Sequence, residues 1–141
     1  MIRLPQPADL TSLVLRTDFA DDTAWHALQE QIGLLDRHPH ATFVSDAAYA
    51  GISVQAIVDL DAAARDDDKL TYLFLADTIT MTDDENPLLA VDTYDEPGRT
   101  FRLPVRWYAD VSANLSIGNV DFADLADATD EAGTYRVLDR E

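Results

Sequence analysis

The sequence contains no cysteine and a single lysine, Lys69. The lack of cysteine excludes disulfide bonds, thiolate zinc sites, iron–sulfur clusters and a cysteine nucleophile. No apolar run approaches the 18 or more residues that indicate a membrane-spanning helix. The first ten residues, MIRLPQPADL, have neither the apolar core nor the small-residue cleavage site of a signal peptide. We therefore expect a cytoplasmic protein that does not enter the membrane.

Positive charge is scarce, because 10 basic residues stand against 27 acidic ones and the formal net charge is −17. Binding to DNA or RNA requires a basic patch that releases counterions, so this composition argues against direct contact with nucleic acid. It favours a positively charged protein partner. High-GC genomes and a salty cytoplasm also favour acidic, lysine-poor chains, so the acidity has a second explanation that is unrelated to binding.

The length of 141 residues and the 47% hydrophobic content are those of one domain with a continuous core. We predict a single domain over residues 1–141, with residues 1–11 as an N-terminal extension. The segment 62–69 (AAARDDDK) carries three adjacent carboxylates and no apolar anchor. Such a charge run predicts an exposed acidic connector.

Strand and helix patterns alternate in the first half of the chain. Continuous apolar runs at Ser12–Arg16 and Thr71–Ala76 are typical of buried strands, and residues 41–44 form a weaker run. Apolar residues recur at helical spacing after Asp21-Asp22 and after Ser53, and both sites suit a helix N-cap. The order strand, helix, strand, helix, strand is typical of α/β domains.

The second half predicts a hairpin followed by helices. Strands at 88–94 and 100–105 flank the turn 96–99 (EPGR), where Pro and Gly suit the central positions. Trp107, Val111 and Leu115 predict a third helix, a fourth follows near residue 121, and residues 134–138 are a last strand or an ordered tail. We predict an α/β fold with a mixed, mainly parallel sheet of about five strands, a hairpin edge and about four helices.

Several segments resemble one family. They are LVLRTDF (13–19), DDTAW (21–25), EPGRTFR (96–102) and NLSIGNVDF (114–122). Together they resemble a family of small acidic single-domain proteins of unknown function from actinobacteria. The resemblance implies a bacterial, high-GC origin and a single-domain unit, and it implies no activity, cofactor or catalytic residue.

Three acids follow the predicted parallel strands. Asp18 follows the first strand, Asp46 the second and Asp77 the third. Ligands of open parallel sheets bind at the carboxyl ends of strands, so these carboxylates could converge on one Mg²⁺ or Ca²⁺ ion. With so many aspartates in the chain, chance placement and local roles in turns and helix starts explain the same pattern. We expect no cofactor, with Mg²⁺ or Ca²⁺ as the alternative.

Four arginines, Arg16, Arg99, Arg102 and Arg106, lie in or near apolar strands of an otherwise acidic chain. Their ordinary role is internal pairing with aspartate, which a guanidinium can bind through two parallel hydrogen bonds. In the functional alternative, Arg99 and Arg102 form a contact for an anion or a partner on the hairpin.

No sequence motif indicates an enzyme, since the chain has no GxSxG elbow and no glycine-rich phosphate loop. We favour a non-enzymatic protein-interaction or regulatory module, with an immunity or antitoxin protein as one form of it. The alternative is a small hydrolase or transferase that depends on a divalent cation held by Asp18, Asp46 and Asp77. Oligomeric state cannot be inferred from the sequence.

Overall fold

The structure is a computed structural model that describes residues 3–35 and 41–136. The strands are β1 (Ser12–Arg16), β2 (Ala41–Val44), β3 (Tyr72–Ala76), β4 (Leu88–Asp92) and β5 (Thr100–Leu103). The helices are α1 (Asp22–Leu35), α2 (Val54–Ala62), α3 (Thr78–Thr82), α4 (Tyr108–Ser116) and α5 (Phe122–Asp127). Short 3₁₀ helices occupy Ala47–Tyr49, Asp66–Asp68 and Val105–Trp107.

The strands form one sheet in the order β2-β1-β3-β4-β5. β1 pairs in parallel with β2 and β3, whereas the pairs β3–β4 and β4–β5 are antiparallel. The prediction of an α/β fold with a mixed five-stranded sheet and a hairpin at its edge is confirmed. The prediction that the sheet is mainly parallel is wrong.

Connection length explains where the sheet changes direction. A parallel neighbour needs a crossover of a dozen or more residues, usually a helix. The connections 17–40 and 45–71 meet this need and contain α1 and α2. The connections 77–87 and 93–99 are too short for a crossover, so the chain reverses direction after β3 and again after β4.

Helices cover both faces of the sheet, because side chains alternate along each strand. On one face, Val14 and Phe74 pack in a large cluster with residues of α1, α4 and α5. On the other face, Leu13, Leu15 and Leu73 pack with residues of α2 and its flanking loops. Both clusters are needed to bury β1, whose five residues are all buried.

The N-terminal extension packs along the second of these faces. Leu4 contacts the α2-side cluster, and the Tyr49 hydroxyl donates a hydrogen bond to the carbonyl of Arg3. The side chain of Gln6 donates to the carbonyl of Asp68 at 2.7 Å. The extension therefore joins α2 to the turn Asp66–Asp68, which lies within the acidic connector and has no buried residue.

The structure has one more helix than expected in the part of the chain described. α3 was missed because its five residues, TITMT, are too few to show helical spacing. It begins with a capping box between Asp77 and Thr80, which stabilises a helix start regardless of hydrophobic pattern. None of the helices within residues 3–35 and 41–136 combines the length and hydrophobicity needed to cross a membrane.

The C-terminal segment covers the outer side of β5. The amide of Arg102 donates to the carbonyl of Gly133, and the amide of Tyr135 donates to the carbonyl of Arg102, both at 2.8 Å. Residues 134 and 135 thus form isolated bridges and no full strand. The rest of the predicted last strand, residues 137–138, lies outside the described residues.

The hairpin turn has the predicted geometry, and a buried carboxylate that the sequence did not indicate holds its backbone in place. The amide of Arg99 donates to the carbonyl of Glu96 at 2.9 Å, and Gly98 adopts φ = 95°, which suits glycine. The buried carboxylate of Asp92 accepts hydrogen bonds from the backbone amides of residues 94, 95 and 96 at 2.9, 3.2 and 3.0 Å. One side chain therefore fixes the start of the turn.

Replacing this carboxylate tests its role. We expect Asp92→Ala to lower the free energy of unfolding by about 2–3 kcal/mol, because hydrogen bonds to a charged group contribute about 1.5–3 kcal/mol. Asp92→Asn keeps one oxygen acceptor and should lose less. Urea unfolding of the three proteins measures the difference. Equal stability of Asp92→Ala and the wild type would show that the turn folds without the carboxylate.

Candidate functional site

The three predicted acids lie at the same edge of the sheet, which we call the carboxyl edge. It is formed by the C-terminal ends of β2, β1 and β3 and the loops that follow them. Asp18, Asp46 and Asp77 each accept a hydrogen bond from a backbone amide two or three residues further along, at 2.9–3.2 Å. Asp46 and Asp77 also occupy helix N-caps. Each carboxylate therefore has a local structural role.

Asp77 is committed to an ion pair. Arg102 on β5 donates from both terminal nitrogens to the two carboxylate oxygens of Asp77, each at 2.8 Å. Burial would raise the pKa of Asp77, but the hydrogen bonds from Arg102 and Thr80 outweigh it, so the pKa lies below its ordinary value. Asp77 is therefore an ionised structural carboxylate in a bidentate pair.

The carboxyl edge does not form a ready metal site. Among the described residues, no three acidic or histidine side chains are grouped so that they could hold a metal ion. Asp18 and Asp46 are each bound to a backbone amide of their own loop, and both oxygens of Asp77 are bound to Arg102. The cation site and the hydrolase or transferase built on it stay a prediction, which calorimetric titration with Mg²⁺ and Ca²⁺ would test.

Arg16 organises the centre of the carboxyl edge. Its side chain is only 4% exposed and donates to the carboxylate of Asp22 at 2.7 Å and to the carbonyl of Asp18 at 2.8 Å. The guanidinium lies over the ring of Phe19 at 4.4 Å and faces the ring of Trp25 at 5.7 Å. These contacts fix the loop between β1 and α1. Because the guanidinium of Arg16 is already bound within the protein, it is not available to an anionic ligand.

Other arginines are paired in the same way. Arg99 forms ion pairs with Glu96 and Asp127, as Arg102 does with Asp77. That Arg99 and Arg102 contact an anion or a partner stays a prediction. Arg106 and Arg136 both donate to Glu85, at 2.7 and 2.6 Å. The hydrogen bonds from Arg136 and Arg106 lower the pKa of Glu85 to about 2. Five arginines of the described chain, Arg16, Arg99, Arg102, Arg106 and Arg136, are therefore held in internal ion pairs.

Two cavities lie at the opposite edge of the sheet, which we call the amino edge. It is formed by the N-terminal ends of β1 and β3, the C-terminal end of α4 and the N-terminal extension. A cavity of about 380 Å³ lies between the extension and the end of α2, and a second of about 240 Å³ lies between the extension and α4. Sequence reasoning missed this edge because it searched the carboxyl ends of parallel strands, where ligands usually bind.

A chain of hydroxyl groups lies beside the smaller cavity. The hydroxyl oxygen of Ser12 lies 2.6 Å from that of Tyr72 and 2.7 Å from that of Ser112. Ser12 and Ser112 are buried, and these contacts supply hydrogen-bond partners to their hydroxyl groups. The cluster joins β1, β3 and α4 through their hydroxyl groups.

Large apolar side chains stand exposed around the amino edge. Leu10, Tyr94 and Ile117 are 66%, 71% and 66% exposed. Leu10 lines the smaller cavity and has φ = 61°, a left-handed conformation that is strained for a leucine. The sequence did not indicate that Leu10 is exposed, because a hydrophobic pattern records neither the exposure of a leucine nor its φ angle.

Comparison with known proteins gives a family without a function. A family model described as "Domain of unknown function (DUF6924)" matches residues 11–138. No curated protein matches the chain. The expected resemblance to a family of unknown function is confirmed at this level, while an actinobacterial origin stays a prediction.

The Asp77–Arg102 pair makes a first prediction for this edge. We expect Arg102→Met to raise the pKa of Asp77, because the burial that disfavours its charge remains while the guanidinium is gone. The carboxyl carbon of Asp77, followed by NMR through an acid titration, measures the shift. Arg99→Met is the matched control and should leave the pKa of Asp77 unchanged. An unchanged value in Arg102→Met would show that Thr80 alone lowers the pKa.

Glu85 makes a second prediction, for the pH dependence of stability. Its folded pKa of about 2 lies below the ordinary 4.5, so its ion pairs stabilise the fold above pH 4.5 and are lost as the pH falls toward 2. Compared with wild type, Glu85→Gln should therefore lose stability at neutral pH, and the difference should shrink below about pH 4. Urea unfolding over a pH series measures both proteins. A difference that is independent of pH would contradict the assignment.

Proposed function

Because this chain belongs to the DUF6924 family, whose function is unknown, we propose from its geometry that it is a non-enzymatic protein-interaction module. In this proposal, a positively charged protein partner in the cytoplasm binds the amino edge of the sheet. An immunity or antitoxin protein is one form that such a module takes.

Leu10 is the observation that carries the proposal. Its side chain is 66% exposed, so it contributes little to the core, and its φ of 61° strains the backbone. Glycine or asparagine would adopt this conformation at lower cost. An exposed leucine with a strained backbone does not stabilise this fold, and a contact with another protein would explain its presence. Tyr94 and Ile117 supply further apolar surface at the same edge.

The exposed carboxylates of the amino edge favour a positively charged partner. Exposed carboxylates at the amino edge include those of Asp9, Asp66, Asp67 and Asp95. Together with the net charge of −17, they attract a basic protein and accelerate its approach. Apolar anchors then provide the contact that slows dissociation, as in interfaces where an apolar centre is surrounded by a polar rim. The partner that fits this edge is thus a basic surface with an apolar centre.

The experiment compares three baits for affinity purification from native lysate. They are the wild type, Leu10→Gly and Ile79→Ala, which removes an apolar side chain that is 49% exposed on α3 at the opposite edge. Leu10→Gly relieves the strained φ, so its fold and stability should be retained. We expect Leu10→Gly to weaken binding of the recovered partner about tenfold, and Ile79→Ala to have no effect.

Salt and surface charge provide the second readout. Binding of the partner should weaken as salt concentration rises, and neutralising Asp66, Asp67 and Asp95 to asparagine should reduce the association rate. The matched control neutralises Asp18, Asp21 and Asp46 at the carboxyl edge, which changes the net charge equally. Two results would contradict the proposed surface. One is a partner that binds Leu10→Gly as tightly as the wild type, and the other is a partner whose binding is weakened only by the carboxyl-edge variant.

A further inference from the structure

The larger cavity is lined by both charged and apolar residues. It lies between the N-terminal extension and the last turn of α2, and its volume of about 380 Å³ is that of a small-molecule site. The residues that matter for its chemistry are Arg3, Leu4, Leu60, Asp61, Arg65 and Asp68. The lining therefore includes two arginines, two aspartates and two leucines.

Asp61 lines this cavity, and only one of its two carboxylate oxygens accepts a hydrogen bond from the described part of the protein. The residue is 4% exposed, and one of its oxygens accepts a hydrogen bond from the amide of Leu70 at 2.6 Å. Within the part of the chain that the structure describes, the other oxygen has no hydrogen-bond partner, and Asp61 lines the cavity. Burial raises the pKa of Asp61 above its ordinary value, although the hydrogen bond from the Leu70 amide and the charge of Lys69 act against it.

Arg3 and Arg65 are the matching cations. Neither forms a salt bridge with any of residues 3–35 and 41–136, in contrast to Arg16 and the arginines of the hairpin region. Both are exposed, and both line the cavity that holds Asp61. In a chain with 27 acidic residues, guanidinium groups without a carboxylate partner are available to an incoming anion.

We propose that this cavity binds a small zwitterion of the α-amino-acid class with an aliphatic side chain. The free oxygen of Asp61 accepts from the ligand ammonium, and Arg65 and Arg3 bind its carboxylate. Leu4 and Leu60 contact the aliphatic part. A ligand with both charges leaves neither side of the cavity uncompensated, whereas an amine would face two arginines and a simple carboxylate would face Asp61.

Three related ligands test the proposal. They are leucine, which has both charges, 4-methylpentanoate, which has only the carboxylate, and 3-methylbutylamine, which has only the ammonium. Binding to the wild-type chain is followed by amide NMR shifts, with the amide of Leu70 as the local reporter. We expect saturable binding of leucine, and binding about tenfold weaker for each of the other two.

Two variants assign the charges. Asp61→Asn keeps an oxygen acceptor for the Leu70 amide, and it should weaken leucine and the amine about tenfold without weakening the carboxylate. Arg65→Gln changes an exposed side chain that makes no capping hydrogen bond. It should weaken binding of leucine and of the carboxylate but not of the amine. Amide spectra of both variants show whether the fold is intact.

Specific outcomes would overturn the proposal. They are the absence of saturable leucine binding up to about 20 mM, shifts that map away from Leu70, and leucine binding that Asp61→Asn and Arg65→Gln leave unchanged. Binding of only one of the singly charged ligands would also overturn it, because the site would then recognise a simple anion or cation. None of these results bears on partner binding at Leu10, which is measured with a separate variant.

Discussion

The ion pair between Asp77 and Arg102 connects the two halves of this domain. Asp77 follows β3, the strand that pairs in parallel with β1 and antiparallel with β4. Its carboxylate begins α3 through Thr80 and receives both terminal nitrogens of Arg102 on β5. The chain can therefore turn sharply after β3 and return as an antiparallel hairpin. The carboxylate best placed to serve a ligand is thereby used to build the fold.

Internal pairing also determines where charge remains available. At the carboxyl edge, the guanidinium of Arg16 is bound by Asp22 and two aromatic rings, and Arg102 is bound by Asp77. At the amino edge, Arg3 and Arg65 line a cavity beside a buried carboxylate. A chain with a large excess of negative charge thus keeps accessible positive charge at a defined place.

The sequence predicted the elements whose signals are local. β1 and β3 are continuous apolar runs, Ser53 caps α2 as expected, and Gly98 marks the hairpin turn. Strand direction was predicted less well, because it depends on connection length and on the unrecognised helix α3. In α4, Val111 and Leu115 are buried as expected, but Trp107 belongs to the 3₁₀ turn before the helix, and Tyr108 is the buried residue of the first turn.

The candidate site was predictable only in part. The positions of Asp18, Asp46 and Asp77 at one edge followed from the strand order, but their hydrogen bonds did not, because aspartate caps helices and binds cations with the same oxygens. The cavity at Asp61 combines an N-terminal segment with the end of a helix far along the chain.

The segment that covers β5 at Arg102 blocks that side of the sheet against an added strand, while β2 ends the sheet on the other side. Copies that joined edge to edge through β2 would stop at a closed pair and could not extend into a fibre.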